Sequence, residues 1–236
     1  MCAMSRALAI ETSGRAGSVA VVNRGHVVAE EQFPHGLQHA AQVVPILDRL
    51  CRARGWTPRD VDELYVSAGP GSFTGLRIGI TLAKTMALAT RVRVVAVPTV
   101  RVLAENAPPD ARHIVIVLDA KRDQIFTSRF ERSGSDWVEC EPAHLASLAE
   151  VLSRAPRPVH LIGEGITQHQ KFIPPGDAGV IVTPPELWRA SASAVAMIGA
   201  AMARAGAYAD PYRLTPIYVR KPEAEEKYEA AERKTE

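Results

Sequence analysis

An apolar strand that ends in an acidic residue, a polar turn and then a second strand occurs twice in this chain. That repetition is the strongest constraint on what it folds into. Residues 7–10 run into Glu11, a turn spans 12–17, and residues 18–22 are apolar again. Residues 113–118 run into Asp119, a turn spans 120–123, and residues 124–130 alternate apolar and polar side chains as a half-buried strand does. Strands joined by tight turns pair antiparallel, so the first half opens as a meander at the start of its sheet, and the second half begins the same pattern again.

The remaining signals place helices between strands. Asn23-Arg24-Gly25 predicts a turn before a strand at 26–29. Residues 39–54 predict a helix with Val43, Val44, Leu47, Leu50 and Cys51 on one face. A strand at 63–67, a loop at 68–73, a long helix at 74–90 and a strand at 93–97 complete the first half, and Pro108-Pro109-Asp110 reads as a linker. The second half predicts a helix near 143–154, strands at 159–162 and 180–182, and a helix near 191–207. The expected division is a lobe at 1–107, a second at 108–212 and a tail at 213–236, in a duplicated α/β architecture. Residues 221–236 hold ten charged side chains in sixteen, which reads as a frayed helix or a disordered arm.

Charge and cysteine usage exclude several classes. The 28 Lys and Arg against 26 Asp and Glu leave a formal charge of +2, which excludes affinity drawn from a strongly basic field on nucleic acid and leaves a local patch open. Cys2, Cys51 and Cys140 are odd in number and lack Cys-x-x-Cys spacing, so neither a disulfide framework nor a zinc finger is expected, and a reducing cytosol is the simplest setting. The Ala-rich stretch at 194–203 is half the length a membrane span needs. The expectation is a cytoplasmic chain without a membrane contact.

The most informative segment is Ser67-Ala68-Gly69-Pro70-Gly71-Ser72-Phe73-Thr74-Gly75. A glycine-rich loop between strand and helix either seats a phosphate on free backbone N–H groups or makes a structural turn. No Gly-Lys-Ser/Thr ending is present, and Gly-x-Gly-x-x-Gly spacing puts Thr74 at the third glycine. Were a nucleotide held here, the candidate contacts are Gly69, Gly71, Ser72, Thr74 and Gly75, with Glu11 and Ser13 beside them. Glu11 and Asp119 either position Mg²⁺ or water, or cap their own turns.

The following helix carries a stripe of small residues, Gly71, Gly75, Gly79, Ala83 and Ala87, and a bulkier stripe of Ile78, Leu82, Met86 and Ala89. A helix apolar on two faces is either deep in its own core or docked on a partner as well. His35 and His39 stand four apart but lack a third ligand, so capping or a surface position is expected and no metal site. No Gly-x-Ser-x-Gly elbow is present, and no cysteine has a histidine nearby in sequence, so no catalytic residue is named.

Residues 67–89, SAGPGSFTGLRIGITLAKTMALA, resemble the signature of the TsaB (YeaZ) family. The segments LAIETS from Leu8, His39 with Pro45-Ile46-Leu47, LDAKRDQIF from Leu118 and PIYVRKP from Pro216 match in order. The departures are small: Glu11 where Asp is usual, Lys121 where Arg is commoner, Phe126 for Tyr, and the extra His35. The resemblance implies a two-lobed actin/Hsp70/sugar-kinase-like fold of duplicated RNase-H-like lobes. It implies work in tRNA threonylcarbamoyladenosine modification as a non-catalytic, activating subunit. The implied partners are a TsaD-like catalytic subunit, a TsaE-like ATPase, tRNA through the complex, and a second copy when alone. ATP or ADP would bind only at the junction of the assembled complex. The implied interface is His39, Val43, Leu47 and Leu50 on the first helix and Arg77, Ile78, Leu82 and Met86 on the second. The enzyme alternatives are a weak nucleotide hydrolase using Glu11 with the Ser72/Thr74 loop, or a glycoprotease-like metallohydrolase.

Overall fold

The computed structural model describes residues 5–33 and 38–219. Cys2, His35, the side chain of His39 and the tail at 221–236 lie outside what is described. Strands β1 (Arg6–Glu11), β2 (Gly17–Asn23) and β3 (His26–Phe33) form an antiparallel meander, and helix α1 (Gln38–Arg52) follows. Then come β4 (Glu63–Gly69), α2 (Phe73–Thr90) and β5 (Arg93–Pro98), with β4 parallel to both β1 and β5. The sheet order is β3-β2-β1-β4-β5.

The second half repeats that order. After α3 (Thr99–Ala104) come β6 (His113–Ile116), β7 (Leu118–Asp119), β8 (Ile125–Ser133) and β9 (Asp136–Ala146). Helix α4 (Leu148–Arg154), β10 (Val159–Ile162), α5 (Ile166–His169), β11 (Val180–Val182) and α6 (Ala192–Arg204) complete it. Strand β8 is antiparallel to β6 and β9, while β10 is parallel to β6 and β11. The order β9-β8-β6-β10-β11 therefore mirrors the first sheet, with β7 pairing the start of β8. The duplication expected from the two strand–acid–turn–strand openings is present in the hydrogen-bonded ladders.

Three readings of local structure are corrected. The helix expected near 143–154 is only Leu148–Arg154, because Leu145 and Ala146 pair with Phe126 and Ile125 in the β8–β9 ladder. Ser147 then caps the helix, its hydroxyl accepting from Glu150 N at 3.2 Å. Strand β9 itself escapes pattern reading because it pairs on one side only and exposes charged and apolar residues alike. On α1 the buried face is Val43, Ile46, Leu47 and Cys51, whereas Val44 is 51% exposed.

Two cores flank the first sheet. Leu8, Ile10, Val19 and Val21 pack with α1 and α2 on one side. Ala7, Ala9, Tyr65, Val95 and Val97 pack on the other against Val195, Ala196 and Ile198 of α6. Sequence order and packing thus part company, since α6 comes late in the chain and covers the sheet built by its beginning. Its N-terminus is held there by Glu30, whose carboxylate accepts from Ala192 N at 3.0 Å and from the Ser193 hydroxyl.

Candidate functional site

The turns after β1 and β7 face each other across a cleft of about 970 Å³. Ser13, Gly14 and Arg15 lie on one side, Asp119 to Arg122 on the other, with Gly71, Ser72, Phe73 and Arg77 at the rim. Across the cleft, Arg15 N donates to the carboxylate of Glu164, at 2.8 Å from Oε2. Of the seven candidate nucleotide contacts, Ser13, Gly71 and Ser72 line this cleft, while Glu11, Gly69, Thr74 and Gly75 do not.

Glu11 is fully buried beneath its own turn. Its Oε1 accepts from both Ser13 N and Ser13 Oγ at 2.5 Å, which is the turn-capping role left open by the sequence. Its Oε2 makes no hydrogen bond among the described residues. Burial raises its pKa above the ordinary carboxylate value, and the Ser13 hydrogen bonds offset only part of that rise.

The glycine loop is filled by the chain itself. Ser72 N donates to the Ser13 carbonyl at 2.7 Å, and Gly69 N donates to Thr99 Oγ1 at 3.1 Å. A Cβ at Gly71 would lie 2.5 Å from the Ser13 carbonyl oxygen, and one at Gly75 would lie 1.9 Å from that of Thr12. These two glycines are required by close approach of backbone to backbone, not by room for a ligand. The Ser72 hydroxyl caps α2, accepting from Gly75 N at 3.3 Å.

Asp119 sits more openly, with a side chain 21% exposed. It accepts from Lys121 N at 3.1 Å, pairs with Lys121 Nζ at 3.1 Å and meets His169 Nε2 at 3.2 Å. Burial acts to raise its pKa, but the bonds from Lys121 and His169 outweigh that and hold it below the ordinary value. His169 is buried, and nothing in its sequence context singled it out. Lys121, Arg122 and Asp123 take φ values of 65°, 54° and 56°, three non-glycine residues in the left-handed region in succession. Such backbone is costly, and it keeps this turn aimed at the cleft. Among the described residues no cluster of three or more His, Cys, Asp or Glu could hold a metal ion, and no helix is long and apolar enough to cross a membrane.

A second candidate surface lies on α1 and α2. The small stripe Gly75, Gly79, Ala83 and Ala87 is buried against the sheet. Ile78, Leu82 and Met86 are only partly buried along the edge of the same core, as is Leu50 of α1. Val43 at 1% and Leu47 at 6% exposure face the chain's own interior, so they are corrected as outward interface residues. The outward apolar positions are Val44 at 51% and Leu88 at 55%. Arg77 is exposed, stacked 3.8 Å from the centroid of Phe73 and donating to Tyr218 Oη at 3.2 Å.

Two lobes of one strand order enclosing a cleft define the actin, Hsp70 and sugar-kinase class of folds. The family model for TsaD, tRNA N6-adenosine threonylcarbamoyltransferase, matches residues 35–203. The tRNA threonylcarbamoyladenosine biosynthesis protein TsaB of Bacillus subtilis is 30% identical over 226 residues, covering 94% of this chain and 96% of that one. The Escherichia coli protein of the same name is 30% identical over 165 residues, 69% of this chain and 70% of its own length. A Pseudomonas aeruginosa crystal structure, described as similar to peptidase YeaZ, superposes with a TM-score of 0.78 at 24% identity, covering 92% of this chain and all of that one. The chain belongs to the TsaB family.

Proposed function

We propose that this chain is a cytoplasmic, non-catalytic subunit of tRNA threonylcarbamoyladenosine biosynthesis that binds and activates a TsaD-like catalytic chain. The observation that carries the reading is the division of labour on α2. Its small residues seat on its own sheet, and its bulkier residues lie only partly buried at the edge of that core, while Val44 of α1 is exposed, as a surface built for a partner helix pair requires. The docking residues are Val44, Leu50, Arg77, Ile78, Leu82 and Met86 with His39, while Val43 and Leu47 support the surface from within. The same surface pairs two copies when the partner is absent. A TsaE-like ATPase and tRNA join through the complex, and ATP or ADP binds at its junction.

The buried Glu11 supports the absence of chemistry in this chain. A carboxyl sealed beneath Ser13 does not reach a ligand in the cleft, which weighs against a hydrolase acting through it. Light scattering on a sizing column, for the chain alone and mixed with the TsaD-like protein of the same organism, tests the reading. The expected result is a one-to-one complex that Val44→Arg weakens at least about tenfold, by leaving a cation unpaired in an apolar contact. No complex, with or without nucleotide, would overturn it.

A further inference from the structure

No aspartate or glutamate occurs between Glu63 and Glu105, although the chain holds 26 of them. Within that run stand Arg77, Lys84, Arg91, Arg93 and Arg101. Two of these cations are answered from the ends of the run. Glu63 accepts from Arg93 at 2.7 Å, and Arg101 lies in the field of Glu105. Arg77, Lys84 and Arg91 form no ion pair among the described residues. Arg77 stacks on Phe73 and donates to the Tyr218 hydroxyl, and neither contact neutralises it.

All three belong to α2 or to its end. Arg77 and Lys84 are two helical turns apart, so they rise from one side of the helix about 10 Å from each other. Arg91 follows the last helical residue and is exposed, with its N–H closing the helix on the Ala87 carbonyl at 2.9 Å. The neighbouring α1 offers no spare acid. Its Asp48 holds Arg52 at 2.9 Å, and Glu31 of β3 takes Arg49. A second observation extends the surface past the end of α2. Leu88 and Tyr212, 55% and 79% exposed, border a groove of about 370 Å³ together with Arg91 and Arg93, and no acid lines it. This face therefore presents apolar contact area and cations without a counter-charge.

Taking α1 and α2 as the docking face proposed above, we infer that its occupant is an acidic helix surface of the partner chain, whose carboxylates meet Arg77, Lys84 and Arg91, and that the same cations disfavour a second copy. In a pair of identical copies one patch meets itself. Whichever helix then faces which, cation meets cation, and the acids of α1 and β3 are already engaged. Like charges brought together cost affinity and opposite charges gain it, so the patch selects the partner over the copy. Screening by salt acts on the two pairs in opposite directions.

Sedimentation velocity on the full chain, alone and mixed with the TsaD-like protein of the same organism, measures both pairs at about 50 mM and about 500 mM salt. The expected result is a mixed complex that weakens about tenfold as salt rises, and a self pair that strengthens several-fold. The variant K84Q/R91Q touches no core residue and should melt as the parent does. It should weaken the mixed complex several-fold at low salt, flatten its salt dependence and tighten the self pair. A mixed complex that Val44→Arg breaks, but that neither salt nor K84Q/R91Q moves, would overturn the inference and leave the docking face standing. A self pair as tight as the mixed complex at low salt would overturn it in favour of a second copy. Binding of an unmodified tRNA transcript by the chain alone, weakened by salt and lost in K84Q/R91Q, would overturn it in favour of nucleic acid. No mixed complex at either salt would overturn the docking reading and this inference with it.

Discussion

Glu11 carries two oxygens in different circumstances, one bonded twice by Ser13 and one without a hydrogen bond among the described residues, in a side chain with no exposure. Burial disfavours its charged form, so the folded chain holds a proton here to higher pH than the unfolded chain does. A folded pKa raised above the unfolded value of about 4.3 means stability is kept below that pH. It is lost as pH rises, until the folded group also ionises. Glu11→Gln keeps an acceptor for Ser13 and removes the titration. The variant should gain on the unaltered chain as pH rises from 4 to 8, read as the difference between two urea titrations at each pH. A difference that does not move with pH would mean that burial leaves this carboxyl free to ionise. Gly75 makes a complementary prediction from sterics alone. Gly75→Ala places a methyl on the Thr12 carbonyl, and as overpacking against backbone it should destabilise by about 3 kcal/mol. A urea midpoint unchanged from the parent would show that the loop is not seated on the turn as described.

At the scale of elements, the two faces of α2 were legible because its small residues recur every four positions, and that spacing survives whatever the helix packs against. The inward face of α1 was read one position off. Val43 and Val44 are equally apolar, and only packing shows that Ile46, not Val44, completes the buried arc. This distinction has a measurable consequence. Leu47→Ala should cost about 3 kcal/mol of stability, as a large-to-small change in a core. Val44→Ala should leave the melting curve within error and weaken only the complex, as exposed positions do. If thermal melts show the two variants equally destabilised, the outward face of α1 is misassigned. The candidate site was legible in part for the same kind of reason. The glycine loop and the two strand-end acids stand out by type and spacing. His169 does not, because its role comes from β7 and α5 meeting in space across fifty residues of sequence. Nor could sequence decide whether the glycines admit a ligand or a backbone. The answer depends on the 12–13 turn lying against them, a non-local contact.

Across the whole molecule, α6 brings the late part of the chain back onto the first sheet. The first sheet buries Ala7, Ala9, Tyr65, Val95 and Val97 on a face whose cover comes from residues 192–204. The fit is close: a Cβ on Gly199 would stand 2.5 Å from the Tyr65 ring. Glu30 fixes the start of the helix, and beyond its end Ala209 N donates to the Val94 carbonyl at 2.8 Å. Tyr208 Oη donates to the buried Glu63, which also accepts from Arg93. A fragment of residues 1–107 would keep every strand of the first sheet and the α1–α2 core, yet expose the opposite apolar face to water. Burial of that face is worth roughly 25 cal/mol per Å² of apolar surface, and a marginally stable sheet does not survive its loss. The fragment should therefore show no cooperative thermal transition by circular dichroism and should bind a hydrophobic dye. Residues 108–219 added in trans should restore the transition, because α6 and its capping contacts return with them. A cooperative melt of 1–107 alone would establish that α1 and α2 suffice for the first lobe, and that α6 is a later addition to a sheet already stable on one face.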